Sequence, residues 1–361
     1  MQTDSEGYDN PVINADVCVD CGACEKACPV LNPVTLNPIQ EVYAAWALDD
    51  EIRQSSSSGG LFSVFANAVL NNGGFVVGAS LMKDFTVKHI VVTEKEDLHL
   101  LRSSKYVQSA IDETLYSNIK ERLKNGQQGV FCGTPCQVAG IKKFLAKEYP
   151  IFFTIDLVCH GVPSPLVFAE TIQKIKNDLP NVISFSFRDL RRWGLCFNVH
   201  VDVNGIITNY RLHGKHTFYQ DAYLKNLMHR ECCYQCPYAT DSRIGDITLA
   251  DFWGIGKKIP FQRKINKGVS FVGVVTDKGK ALFEQIESDF FFEKRTLEEA
   301  LAGGNKNLFE PSPRPALRDS FYNDVYSLSI EKLVEKYTLE LVRKKTFWRR
   351  GIRKMKNLLK K

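Results

Sequence analysis

The chain has 361 residues, 44% hydrophobic and 24% charged, with eleven cysteines and a formal net charge of +6. These proportions belong to a globular protein with room for a sizeable core and exclude a disordered chain. No apolar run approaches the ~18 residues of a membrane-spanning helix, and the polar, acidic start lacks the apolar core of a signal peptide. The expected location is therefore cytoplasmic, where lasting disulfides are rare and cysteines serve as metal ligands or redox groups.

In chain order, residues 1–40 hold one dense cysteine run and prolines at 11, 29, 33 and 38, the pattern of a small irregular module held together by metal. Residues 42–48 predict a strand. A Ser/Gly loop over 55–60 opens a helix with Leu61, Phe65 and Val69 on one face, closed by Asn71-Asn72-Gly73-Gly74. Strands are predicted at 75–79 and 87–93, and a helix over 112–124 ends at Asn125-Gly126. Two strand–loop–helix units follow, 129–147 and 151–178. Residues 182–188, 196–203 and 205–211 form a β-rich stretch in which Asn204-Gly205 signals a hairpin turn. Strands at 246–251 and 269–276 come next, and the chain from 318 onward is mostly helical. The fold class is α/β: a mixed sheet with strand–loop–helix units, preceded by a small ferredoxin-like 4Fe–4S module and followed by a C-terminal helical tail.

Cys18-x2-Cys21-x2-Cys24-x3-Cys28-Pro29 is the spacing of a bacterial ferredoxin run, in which closely spaced thiolates wrap an iron–sulfur cluster. A zinc knuckle is the other reading, although zinc sites usually pair two Cys-x2-Cys units across a long gap. In two-cluster ferredoxins the fourth cysteine serves the other cluster, and this chain has one run. Cys28 then closes a local site, or a remote cysteine completes it, or the chain lacks a preceding half-module.

A second set is spread over the body. Strand 129–132 runs into Gly133-Thr134-Pro135-Cys136, where Pro135 suits the first helical position and Cys136 the first turn, which favours a thiolate. Strand 152–159 ends at Cys159-His160. Parallel pairing of these strands brings Cys136 and Cys159 to one carboxyl edge, where open α/β folds bind ligands. Cys233 and Cys236 supply a further Cys-x2-Cys. Four thiolates at 136, 159, 233 and 236 complete a 4Fe–4S or zinc site, unless Cys136 and Cys159 are simply small buried hydrophobes. Loop 55–60 is a phosphate cradle or a capped loop. Ser103-Ser104-Lys105-Tyr106 pairs a cation with an aromatic ring. His160 is an acid–base group, a ligand or a loop hydrogen-bonder. Residues 246–256, with Asp251 and Trp253, suit a flat ring.

These motifs recur in a known order: Ser-Ser-Ser-Gly-Gly (56–60), Ser-Lys-Tyr-Val-Gln-Ser (104–109), Gly-Thr-Pro-Cys-Gln (133–137), Cys-His-Gly-Val-Pro-Ser (159–164), Cys-Tyr-x-Cys (233–236) and Asp-Phe-Trp-Gly (251–254). Over residues 16–276 the chain resembles the coenzyme F420 hydrogenase/dehydrogenase β subunit family in its bacterial ferredoxin-fused form. Members are flavoproteins with FAD and one or more 4Fe–4S clusters. They pass electrons between a ferredoxin-type donor and a reducible organic partner, which is F420 in methanogens and a chlorophyll intermediate in a plant relative. The resemblance implies flavin contacts at Ser57, Ser58, Gly59, Gly60, Lys105, Gly133, Thr134 and His160. It implies cluster ligands at Cys136, Cys159, Cys233 and Cys236, beside Cys18, Cys21, Cys24 and Cys28 in the run. It divides the chain into a 4Fe–4S segment (1–40), a flavin and iron–sulfur domain (41–310) and a helical region (311–361). The fused form usually carries two cysteine runs, so this chain matches the second half of that module. Competing readings are a non-catalytic electron-transfer adaptor and a degenerate relative working beside glycan-building enzymes.

Residues 343–361 hold ten Lys or Arg and no acid, so removing their charge from +6 leaves −4 for residues 1–342. Trp348, Ile352, Met355 and Leu359 fall on one helical face, the pattern of an amphipathic helix on an anionic membrane surface. A helix docked on a partner and a solvated tail are the alternatives. The acidic body offers no continuing basic surface for nucleic acid.

Overall fold

A computed structural model describes residues 1–189 and 193–339. The basic tail at 343–361 lies outside the described residues. In chain order the main elements are β1 (Glu41–Ala47), α1 (Leu61–Asn71), β2 (Phe75–Leu81), β3 (Val87–Val92), α2 (Leu115–Lys124), β4 (Gly129–Gly133), α3 (Pro135–Leu145), β5 (Phe152–Leu157), α4 (Pro165–Asp178), β6 (Val182–Arg188), β7 (Leu195–Val203) and β8 (Ile206–Arg211). They continue with α5 (Phe218–Leu224), β9 (Ile247–Asp251), β10 (Ser270–Val274), α6 (Asp277–Gln285), β11 (Phe290–Arg295), α7 (Leu297–Gly303), α8 (Arg318–Val325) and α9 (Ile330–Lys336).

Eight strands form one mixed sheet in the order β11-β1-β10-β9-β5-β4-β2-β3. The central strands β9, β5, β4 and β2 run parallel, and the flanking pairs are antiparallel. Side-chain alternation explains the burial on both faces. Val76 and Val130 pack on one face with Leu61, Phe65 and Val69 of α1 and with α6. Phe75, Val77 and Phe131 pack on the other with α2 and α3. Each fully buried Phe contributes about 1.5–3 kcal/mol.

Beside this sheet, β6, β7 and β8 form an antiparallel three-stranded sheet, order β8-β7-β6. Phe185, Phe187, Phe197 and Val199 of these strands share a core with α4, α5, α8 and α9. The hairpin between β7 and β8 turns at Asn204 and Gly205, both at positive φ (54° and 83°), as a two-residue primed turn requires. The amino-terminal segment is tied into the same core. Tyr8 is 1% exposed and its hydroxyl meets the carbonyls of Val162 and Met228 and the Tyr322 hydroxyl at 2.8–3.1 Å. Glu6 pairs with buried Arg318 at 2.6 Å.

The sequence pattern reveals neither helices α5, α6 and α7 nor the edge strand β11. The Phe290-Phe291-Phe292 run of β11 shows no period of two, and its pairing to β1 supplies the strand conformation.

Candidate functional site at the carboxyl edge of the sheet

A cavity of about 520 Å³ opens at the carboxyl ends of β4, β5 and β9, lined by Cys132, Gly133, Leu157 and Asp251 among others. Its position follows from the parallel centre of the sheet, where strand ends and the loops after them leave a crevice. Loop 55–60, the start of α1, segment 101–109 and loop 158–163 complete the wall. Its volume lies within the usual range of small-molecule sites.

Ser57, Ser58 and Gly60 line the cavity with Lys105. Ser57 Oγ accepts from the Ser104 N–H at 2.7 Å, which ties the Ser/Gly loop to the Lys105 segment. Ser58 Oγ donates to the Val269 carbonyl at 2.8 Å. Between Ser58 and Gly60, the Gly59 N–H donates to Ser270 Oγ at 3.0 Å, and a Cβ there falls 2.3 Å from the Ala45 carbonyl oxygen. Lys105 Nζ donates to the Arg102 carbonyl at 2.7 Å, and burial pulls its pKa from 10.5 to about 7. Ser63 Oγ and Arg102 Nε, both on residues of the wall, are buried without a hydrogen-bond partner. Deeper in, His89 Nε2 donates to the Cys132 carbonyl at 3.1 Å, so Nδ1 accepts from Ser109 at 2.8 Å. Burial pushes His89 down to about 4, and it is neutral at ordinary pH.

Arg188 of β6 and Asp251 of β9 also line the cavity. Arg188 Nη2 donates to Asp251 Oδ2 and to Tyr106 Oη at 2.5 and 2.7 Å. Asp251 Oδ1 accepts from Trp193 Nε1 at 2.5 Å, and Trp193 stacks on Trp253 at 5.0 Å. Burial opposes the Arg188 charge, but Tyr106 and Asp251 outweigh it and raise its pKa. His160 also lines the cavity, with Nδ1 2.8 Å from Asn307 Oδ1. Gly133 and Thr134 lie in the wall as well. No motif pointed to Arg188, Tyr223 or Asn307; each sits far along the chain from its neighbours in the wall, and only the fold joins them.

The body cysteines gather beside this cavity. Cys159 lines it, and burial pushes its thiol up to about 12, with Cys136 and then Cys236 adding to the shift. Cys136 begins α3 as expected, yet its pKa moves up, not down. The surrounding protein outweighs the hydrogen bond from Thr134, and Cys236 and Cys232 add repulsion. The Cys233 thiol is raised chiefly by its bond to Cys232, then by burial and Cys159. Cys132 and Cys196 are buried. Cys18, Cys21 and Cys24 are exposed and Cys28 is half-buried. The short helix Ala23–Ala27 lies against α3, and Tyr238 is pushed up to about 12 by burial and then by Cys136, Cys236 and Cys28. Cys28 of the first set and Cys136 and Cys236 of the second thus all lie near enough to Tyr238 to act on its hydroxyl. Among the described residues no three His, Cys, Asp or Glu side chains converge on a single ion. Cys136, Cys159, Cys233 and Cys236 act on one another's thiols, which marks the four as neighbours.

A thiol-rich sheet edge bordering a ligand-sized cavity defines an α/β redox protein. Residues 42–115 match the N-terminal model of the coenzyme F420 hydrogenase/dehydrogenase beta subunit, and residues 127–300 match the model of its C terminus. Residues 11–31 match a 4Fe-4S binding domain. The chain belongs to the coenzyme F420 hydrogenase/dehydrogenase beta subunit family, a family of oxidoreductases, and carries a 4Fe–4S binding segment. It is 22% identical over 309 residues to the F subunit of the F420H2 dehydrogenase from Methanosarcina mazei, covering 77% of this chain and 82% of that one. Locally it is 64% identical over 25 residues to a 7Fe ferredoxin of Hydrogenibacillus schlegelii, covering 7% of this chain and 32% of the ferredoxin. A chain of the F420-reducing NiFe hydrogenase complex from Methanosarcina barkeri superposes with a TM-score of 0.48 at 19% identity, covering 83% of this chain and 93% of that one. Among the described residues no helix is long and apolar enough to cross a membrane.

Proposed function

We propose that the chain passes electrons between a ferredoxin-type donor and a reducible organic partner through 4Fe–4S clusters and FAD. The observation that carries this reading is that Cys159 belongs both to the thiol set and to the cavity wall. Cys136, Cys159, Cys233 and Cys236 would hold one cluster, and the run Cys18–Cys28 supplies ligands for another. Ser57, Ser58, Gly60 and Lys105 would hold the flavin, with Gly133, Thr134 and His160 completing the wall. When bound, the clusters supply single-electron steps and FAD couples them to two-electron chemistry.

The residues themselves do four things. The start of α1 turns Gly60 to Ser63 toward the cavity, and the orphaned Ser63 Oγ and Arg102 Nε suit a polar cofactor there. Lys105 offers an ammonium whose charge an anionic group would stabilise. Thr134 Oγ1, 3.1 Å from Cys136 Sγ, tunes that sulfur by hydrogen bonding. The exposed Cys18 to Cys24 stretch leaves the first cysteine set open to a partner protein.

The test is anaerobic reconstitution with iron, sulfide and FAD. The reading expects bound flavin together with iron and sulfide. Clusters without flavin would favour a non-catalytic adaptor, and neither group would sink both.

A further inference from the structure

Arg188 is 4% exposed, yet among the described residues only its Nη2 is paired, with Asp251 and Tyr106. Nε and Nη1 are buried without a hydrogen-bond partner. Burying a donor unpaired is unfavourable, and buried guanidinium groups normally spend all their N–H groups. Arg188 lines the cavity, so a small side-chain shift that uncovers this edge would offer it to whatever enters. A planar guanidinium edge with two free nitrogens matches a carboxylate or phosphate in fork geometry.

His160 supplies the second element. Asn307 Nδ2 donates to the Glu310 carbonyl and Ser312 Oγ, at 3.3 and 3.2 Å, which leaves Oδ1 as the acceptor for His160 Nδ1–H. In the neutral ring, Nε2 is then a lone pair, and it is buried in the wall with no partner. Tyr223 links the two groups, with its ring 5.4 Å from His160 and 4.9 Å from Tyr106, which Arg188 holds.

We propose that the part of the cavity bordered by Arg188 and His160 is the subsite for the organic electron partner, a compound carrying an acidic carboxylate or phosphate group and an N–H or O–H donor. Arg188 Nε and Nη1 grip the anion, and His160 Nε2 accepts the donor. Asp251 and Trp193 are positioning residues: Asp251 holds the guanidinium edge toward the cavity, and Trp193 holds Asp251. This inference rests on the cavity being the redox site, since it assigns that site's partner.

The experiment titrates the reconstituted full chain with benzoate and, in a second arm, with inorganic phosphate, reading tryptophan fluorescence. A saturable change in either arm is expected, and the arm that binds more tightly names the anion class. Arg188→Gln is expected to weaken that binding by about tenfold to a hundredfold, Arg188→Lys to weaken it less, and FAD affinity to hold in both. Thermal melts identify a variant that fails to fold, and His160→Phe, which removes the acceptor outside the ion pair, is then read with N-methylbenzamide, a neutral N–H donor, expecting weaker binding than wild type. Unchanged anion binding in Arg188→Gln would overturn the proposal. So would loss of FAD affinity in that variant, which would place Arg188 on the flavin. Arg188-dependent benzoate binding in a chain that takes up no FAD would sink the flavin reading and leave the anion subsite standing.

Discussion

The Asp156 carboxylate and the Arg243 guanidinium meet at 2.7 Å with both side chains sealed from solvent, at 0% and 1% exposure. Asp156 lies in β5, three residues before Cys159, and Arg243 follows Cys236. Asp156 Oδ2 accepts from the N–H groups of Ile244 and Gly245, at 3.1 and 2.8 Å. Arg243 donates to the Tyr238, Thr240 and Leu157 carbonyls at 3.0–3.3 Å. One buried pair thus fastens two of the three thiol-bearing segments of the body together.

Breaking that pair strands a buried charge. Asp156→Asn is expected to destabilise the chain by about 3–5 kcal/mol, seen as a lower urea midpoint. Iron retention in the reconstituted variant is expected to fall as well, because the two segments lose their common anchor. A variant that keeps both stability and iron would show that the pair has no part in holding the thiols.

Lys105 sets a pH dependence. Burial lowers its pKa from 10.5 to about 7. The unfolded chain holds that proton up to about pH 10.5 while the folded chain has shed it, so the penalty is fully present below pH 7 and vanishes as pH rises through 10.5. An anionic cofactor favours the charged amine and would take up a proton on binding above pH 7. FAD affinity, followed by flavin fluorescence, is therefore expected to be level below about pH 7 and to fall as pH rises above it. Lys105→Met should flatten the curve. A wild-type curve that is flat through that range would remove Lys105 from the flavin contacts.

Much of this site is legible in local signals. The Cys18–Cys28 spacing, the short apolar runs of β2 and β4, and Asn204-Gly205 each report on their neighbours in sequence. Two parallel strand–loop–helix units suffice to place Cys136 and Cys159 at one edge. Arg188 carries no such signal, because its partners Tyr106, Asp251 and Trp253 come from elements that meet only in the folded sheet. The same reason hid how closely Gly59 packs on β1 and β10. Cys136 shows the limit of a local rule: its helix start favours a thiolate, and desolvation by the surrounding protein, with Cys236 and Cys232 adding repulsion, overrides it.

The ten basic residues of 343–361 carry a separate expectation. Vesicles rich in anionic lipid should sediment the full chain and leave behind a chain ending at Val342, with the difference shrinking at high salt. Equal sedimentation of the two chains would rule out a membrane role for the tail.

That the body thiols hold a cluster against the cavity is tested most directly by iron analysis and low-temperature EPR. Both are read on the anaerobically reconstituted chain and on its Cys136→Ser/Cys159→Ser double variant. The double variant is expected to lose about four irons per chain and one reduced-cluster signal, while keeping the signal of the amino-terminal run. Equal iron and identical spectra in the two proteins would contradict a cluster at that wall.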